Sequence, residues 1–388
     1  MTAGRDRDAA TIVAAARPGS DPAYGSVSPP LWTSDTFRWT DSETKPEYDY
    51  SRTVSPNRDL LADALSELEG AAGGAITSSG QSAALLALLL LPAGARVVAP
   101  RDCYGGTYRL LKGIEGQGKL AASFVDMLDD RAFEEALQPG PDLVWIETPS
   151  NPMMRITDVR RRAAAAKAAG ALVIADNTLA TPCRQRPLEL GCDIVMHSTT
   201  KALNGHSDLF GGALLARDPE LLEKIRWWAN AAGLSGSAHD ASQILRGLRT
   251  LPLRVDRQES SAVRIAEWLA GHPKVVEVNF PGLPSHPQHA LAERQQSGPG
   301  FMLSFRIDGG PEATAGFLRG LGLVTLASSL GGFATLVCKP ATMTHRGMPP
   351  EVQALAGIGG DLLRLSVGLE APDDLIADLE RGFAGLVG

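Results

Sequence analysis

Apolar positions along this chain alternate between two rhythms from about residue 60 onward. LLADALSELEG sets Leu61, Leu65 and Leu68 on one face of a helix, and Gly70 suits its end. Short apolar runs then appear at ARVVAP (95–100), DLVWIETP (142–149), ALVIADN (171–177) and DIVMHSTTK (193–201), and each predicts a strand. Between two of them RRRAAAAKAAG is alanine-rich and predicts a helix. Alternation of this kind implies parallel strands joined by helical crossovers, with ligands gathered beyond the carboxyl ends of the strands. The longest apolar stretch, residues 83–91, is closed by Pro92. It is far shorter than the roughly 20 residues of a membrane span and predicts a buried helix.

Over residues 237–270 the pattern becomes long helix, with ASQILRGLRTL and RIAEWLAG supplying the period, and it suggests a domain boundary near 250. Beyond it, FMLSFRID and LLRLSVG predict strands, FLRGLG and DDLIADLERGFAGL predict helices, and SSLGG is a glycine-rich turn, together a smaller α/β layer. Residues 18–58 mix Pro, Ser, Thr, Asp and aromatic residues without a period, and predict an extended arm lying on something else, a neighbouring subunit being one candidate. The expected division is therefore an arm over 1–55, a ligand-binding domain over 56–249 and a C-terminal domain over 250–388. A chain of 388 residues exceeds the size at which one core stops growing, which agrees with more than one domain.

The net charge of -7 offers no global attraction to nucleic-acid backbones or anionic lipid, so neither nucleic acid nor membrane is expected as a partner. The first 20 residues lack the long apolar region of a secretory signal, and a cytoplasmic location is expected. Cys103, Cys183, Cys192 and Cys338 are dispersed without CxxC spacing. They predict buried free thiols rather than a disulfide framework or a metal site.

Candidate chemistry sits at the predicted strand ends. Asp176 follows one apolar run, and Ser198, Thr200 and Lys201 follow the next, 25 residues separating the aspartate from the lysine. That distance accommodates one turn, one short crossover and the next strand, so a carboxylate and an amine can face one crevice. Pyridoxal phosphate needs such a pair: an amine to form an imine, and a carboxylate to keep the pyridine nitrogen protonated. SSGQSAALLALLLL, with Ser79, Gly80 and Gln81 directly before a helix, suits an anion cup of backbone N–H groups, to which the Ser198 and Thr200 hydroxyls can add. Tyr104, after ARVVAP, is placed to lay its ring against a planar cofactor. Taken singly these signals are weak: a lysine after a strand is usually a surface residue, and an aspartate there often caps a helix.

YDYSR, APRDCYGGTYRLL, ETPSNP, IADNT, HSTTKALNGHSD, RWWANAAGLSG, LRGLRTL, ATMTHRGM and LLRLSVGLE, in this order, resemble the Cys/Met-metabolism family of pyridoxal-phosphate enzymes, in particular its bacterial cystathionine γ-synthase branch. The likeness runs over almost the whole chain. It implies the aspartate-aminotransferase-like fold, fold type I, with a large mostly parallel sheet, a smaller C-terminal α/β domain and an extended N-terminal arm. It implies Lys201 as the Schiff-base lysine and proton carrier, Asp176 as partner of the pyridine nitrogen, Tyr104 stacked on the ring, and Asn151 beside the ring hydroxyl. Gly80, Gln81, Ser198 and Thr200 would hold the phosphate, and Tyr50 and Arg52 would reach it from the adjacent subunit. Arg364 would hold the substrate α-carboxylate with support from Ser329. The implied assembly is a homo-oligomer with dimeric active sites, generally a homotetramer.

The implied reaction is γ-replacement on an O-acylhomoserine, cysteine giving cystathionine. Sulfide addition, γ- or β-elimination, and a catalytically silent binding module are the alternatives. Several positions depart from the branch. Thr53 stands where a second arginine is common, leaving Arg109 for the distal carboxylate, and Gln81 replaces a methionine. Ser328 and Ala334 stand where glutamates are usual, which points toward a simpler thiol or sulfide. Gly106 replaces the cysteine of methionine γ-lyases.

Overall fold

The computed structural model describes residues 7–16 and 20–385. Twelve strands form two sheets. In chain order they are β1 (Gly73–Thr77), β2 (Ala95–Pro100), β3 (Leu120–Val125), β4 (Leu143–Glu147), β5 (Leu172–Asp176), β6 (Ile194–His197), β7 (Gly212–Ala216), β8 (Val275–Asn279), β9 (Met302–Ile307), β10 (Thr325–Leu326), β11 (Leu336–Cys338) and β12 (Leu362–Ser366). The larger sheet has the order β1-β7-β6-β5-β4-β2-β3 and the smaller β10-β11-β12-β9-β8. From β6 to β3 every neighbouring pair is parallel, and β7 alone runs antiparallel to both of its neighbours. The mostly parallel sheet follows from the alternation of apolar runs with helices.

The four predicted strands and the alanine-rich helix (Val159–Ala168) form as read. So does the helix Pro56–Glu69, which buries Leu61, Leu65 and Leu68 and ends at Gly70 in the left-handed region, φ 69. Residues 83–91 fall in and just after the buried helix Gly80–Leu89, and no helix among the described residues is long and apolar enough to cross a membrane. Strands β1 and β7 were not legible from the pattern. GGAIT and GGALLA are buried at every position, so neither shows the alternation that exposes a strand in sequence. The helix Ala9–Ala14, which buries Ile12 and Val13, was equally hidden by its shortness.

The chain passes to the smaller sheet through helices Ala238–Leu248 and Leu251–Ala270, broken at Arg249 and Thr250. The second helix joins two cores: Leu251 and Val255 pack with the helices under the larger sheet, and Ile265 and Leu269 with the inner face of the smaller. Of the expected arm, residues 1–6 and 17–19 lie outside the described residues; residues 20–55 carry an isolated bridge between Thr36 and Tyr50 and are largely exposed. The four thiols are free, and Cys103, Cys192 and Cys338 are buried. Cys183 is only half-buried, against expectation, because its short helix Thr181–Arg184 lines a surface cavity.

Candidate active site

The larger sheet delivers its polar residues at the carboxyl ends of neighbouring strands, as a parallel sheet must. Asp176 is the last residue of β5, and Lys201 lies in the turn after β6. One oxygen of the buried Asp176 accepts the Thr178 N–H at 3.0 Å, and the Thr178 hydroxyl oxygen accepts the Ser198 N–H at 2.9 Å. The two turns are thereby tied together. Burial raises the Asp176 carboxyl above the usual carboxylate range, against the pull of the Thr178 hydrogen bonds. A cation against it would restore its charged form.

Two cations meet at Ser329. Lys201 Nζ donates to Ser329 Oγ at 2.9 Å, and burial first, then the positive charge of Arg364, lower its pKa to about 8. Arg364 lies inside β12, between Cys338 and Ser304 on the flanking strands, and is buried. Its Nη1 donates to Asn151 Oδ1 and its Nη2 to Ser329 O, both at 2.8 Å, while Nε is buried without a partner. Among the described residues no carboxylate forms an ion pair with it. A buried cation without a counterion is costly, and a substrate carboxylate is the natural group to complete it. Ser329, which serves both cations, holds φ at 100°, a strained conformation for a residue with a side chain and typical of functional sites.

The expected anion cup forms at the head of the helix Gly80–Leu89. Ser79 is its N-cap, its hydroxyl accepting the Ser82 N–H at 3.1 Å, and this leaves the amides of Gly80 and Gln81 without intrahelical partners. A Cβ on Gly80 would come within 2.7 Å of Ser198 Cβ, so glycine is what lets the loop after β6 lie on the helix end. The Ser198 hydroxyl sits at this close approach. The Thr200 hydroxyl is instead engaged with Gly211, donating to its carbonyl at 3.1 Å and accepting its N–H at 3.0 Å.

Tyr104 heads the helix Gly105–Glu115 with its ring against Gly106, where Gln81 Nε2 also comes close. The arrangement thus has an anion cup, an aromatic face, a buried carboxylate with no ion-pair partner among the described residues and a half-buried amine of lowered pKa. These groups fit pyridoxal phosphate: phosphate to the cup, ring to Tyr104, pyridine nitrogen to Asp176 and carbonyl carbon to Lys201.

Not every expected residue joins this cluster within one chain. Arg52 Nε donates to Asn230 Oδ1 at 3.2 Å, and its guanidinium lies 5.3 Å from the centroid of the half-exposed Tyr50 ring. Arg109 is exposed on the Gly105–Glu115 helix, beside Gly347. Two residues were missed. His345 donates from Nε2 to Asn151 O at 2.9 Å and meets the Tyr104 ring edge-on, centroids 6.5 Å apart. Burial and the Arg364 charge lower its pKa to about 4, so the ring is neutral. Glu147 ends β4 beside Asp176. It carries the same signal of an acidic residue at the end of an apolar run, and ETPSNP contained it.

The chain matches the family described as Cys/Met metabolism PLP-dependent enzymes over residues 10–384. It is 45% identical over 378 residues to cystathionine γ-synthase of Escherichia coli (strain K12), covering 97% of this chain and 98% of that one. It is 40% identical over 386 residues to cystathionine β-lyase of Coxiella burnetii, covering 98% and 99%. The structure of cystathionine γ-synthase from Xanthomonas oryzae pv. oryzae in complex with cystathionine superposes with a TM-score of 0.97 at 49% identity, over 98% of each chain.

Proposed function

The chain belongs to the Cys/Met-metabolism pyridoxal-phosphate-dependent enzymes, and from that premise we propose γ-replacement on an O-acylhomoserine, with cysteine as the thiol and cystathionine as the product. The observation that carries the site is the meeting of half-buried Lys201 and buried Arg364 at Ser329, with no carboxylate ion-paired to either among the described residues, while buried Asp176 ends the neighbouring strand. The reaction is favoured by the relatives: a synthase at 45% identity and a solved synthase bound to cystathionine at 49%.

Bound at this site, pyridoxal phosphate supplies an electron sink for charge developing on the substrate's α- and β-carbons. Lys201 is the residue to which it attaches, and its amine, released when substrate amine takes its place, receives the α-proton at Nζ. Its pKa of about 8, well below that of an ordinary lysine, brings the neutral form within reach near neutral pH, which suits a group that must both take and return a proton. The Ser329 hydroxyl orients it. Arg364 grips the substrate α-carboxylate through its planar fork, fixing the α-hydrogen toward Lys201. Tyr104 covers the ring face, while the amides of Gly80 and Gln81, with the Ser79 cap behind them and the Ser198 hydroxyl alongside, hold the phosphate; the Thr200 hydroxyl, already donating to Gly211 O, braces the loop instead. A proton then leaves Cβ, and its electron pair expels the acyloxy group from Cγ as a carboxylate; the thiol sulfur adds at Cγ with loss of its own proton, and protons return to Cβ and then to Cα.

Tyr50 and Arg52 complete the cup of a second copy, so the working form is a homo-oligomer with shared sites, a homotetramer. Arg109 meets the distal carboxylate of a succinyl group. Four free thiols accord with a reducing, cytoplasmic setting. Ser328, exposed where a carboxylate would hold the incoming amino acid's amine, is the feature that favours sulfide as a second nucleophile.

The test is to incubate holoenzyme with O-succinyl- or O-acetylhomoserine and either cysteine or sulfide, and to identify products by mass spectrometry. Cystathionine from cysteine is expected. Homocysteine from sulfide alone would transfer the assignment to a sulfhydrylase, and 2-oxobutanoate with ammonia alone would overturn replacement.

A further inference from the structure

Strands β4 and β5 are parallel, and their register sets Glu147 directly opposite Asp176. Paired residues in a sheet project to the same face, so two carboxyl groups emerge side by side at the carboxyl ends of the strands. Both are buried. Among the described residues no lysine, arginine or histidine forms an ion pair with Glu147. Its two oxygens do something else: Oε2 accepts the backbone N–H of Tyr104 at 2.9 Å, and Oε1 accepts the backbone N–H of Asn151 at 3.1 Å. One side chain therefore ties the turn after β2 to the turn after β4. The Asn151 side chain in turn receives Arg364. A buried acidic residue placed against a second one is an expensive arrangement, and burial and Asp176 together push its carboxyl well above the usual carboxylate range.

We propose that Glu147 is a positioning residue for the cofactor, a clamp that holds the aromatic face, Tyr104, and the Asn151 to Arg364 edge in fixed register with Asp176. The inference rests on the cofactor reading of this site and deepens it. It assigns to Glu147 a part in cofactor recognition without contact to the cofactor. The clamp needs two acceptor oxygens at this reach. Glutamine has one acceptor and turns an NH2 toward a backbone N–H; aspartate has two acceptors but falls short by a methylene. Either change leaves a backbone N–H at one of the two turns unsatisfied, which costs the folded protein and frees that turn, and with it the Tyr104 face or the Asn151 edge, to shift.

The experiment is titration of pyridoxal phosphate into apoprotein of wild type, Glu147→Gln and Glu147→Asp, read by the visible absorption and visible circular dichroism of the bound cofactor, with thermal unfolding of each apoprotein alongside. Both variants are expected to bind about tenfold or more weakly, that being 1.4 kcal/mol, with reduced dichroism and an apoprotein that still unfolds cooperatively at a somewhat lower temperature. Unchanged affinity and dichroism in a folded variant overturn the clamp, whatever the melting temperature does. Where Glu147→Gln fails to fold, Glu147→Asp decides on the same criteria. If wild type itself gains no visible band, the cofactor reading fails, a result separate from any variant difference.

Discussion

The two sheets contribute to the active site in different ways. The larger sheet offers Tyr104, Glu147, Asp176 and Lys201 from strand ends or the turns after them, where the backbone has left the ladder and side chains converge on one crevice. The smaller sheet offers Arg364 from the middle of a strand, hydrogen-bonded into the ladder on both sides and buried. Strand ends are the common way to gather functional groups. A mid-strand arginine is rigid at its root and exposed to the site only through its fork, and it leaves a charge uncompensated until a carboxylate arrives. On the proposed function the difference divides the labour: the larger sheet would hold the cofactor, the smaller would select an α-carboxylate.

That division can be broken experimentally. Asp176→Asn keeps a hydrogen-bonding side chain but removes the charge that would meet the pyridine nitrogen. Equilibrium dialysis should show cofactor binding weakened about 10²- to 10³-fold, the scale on which a buried ion pair fails when one partner is neutralised. The KM of any residual activity should move little. A large KM effect with normal cofactor retention would place Asp176 on the substrate side.

Lys201 lies where the two sheets meet, and its proton reports on both. Its pKa of about 8 lies below the free-lysine value of 10.5, so the unfolded chain binds more protons between those limits. Its contribution to stability is therefore unfavourable below pH 8 and is relieved as pH rises through that window, by at most about 3 kcal/mol. In urea unfolding of apoproteins, Lys201→Met should exceed wild type in stability at pH 7, the gap narrowing toward pH 10.5. A gap that stays constant with pH would mean that the lysine is not held toward neutrality.

Arg364→Ala sharpens the other side. It should lower kcat/KM for the O-acylhomoserine about 10- to 100-fold, mainly through KM, with cofactor retention unchanged. Arg364→Lys should recover only part of it, because a point charge does not reproduce the two-oxygen grip. Full recovery would show that charge alone is used there.

Much of this was legible in the sequence where the local pattern carries the physics. Asp176 and Lys201 stand out because an apolar run stops at each, and the fold class followed from runs alternating with an alanine-rich helix. Gly80 was readable as part of a cup because small residues before a helix make one. Arg364 had no such signal: a charge between leucines reads as an edge-strand surface residue, and the resemblance to a family was needed to single it out. His345 stayed hidden because its role is to touch Tyr104 and Asn151, residues distant in sequence.

By itself, then, the sequence marked the parallel strands β2, β4, β5 and β6, several helices and the polar residues that follow those strands, since these depend on periodicity and on neighbours a few positions away. Tertiary structure alone decided which ends become adjacent. The register of β4 on β5 sets Glu147 against Asp176, and the packing of the smaller sheet brings Arg364 to Asn151 and Ser329. It also determined that the Thr200 hydroxyl is spent on Gly211 while Ser198 stays at the cup. Such pairings join residues tens to hundreds of positions apart, where burial and register, which no local pattern encodes, set the partners.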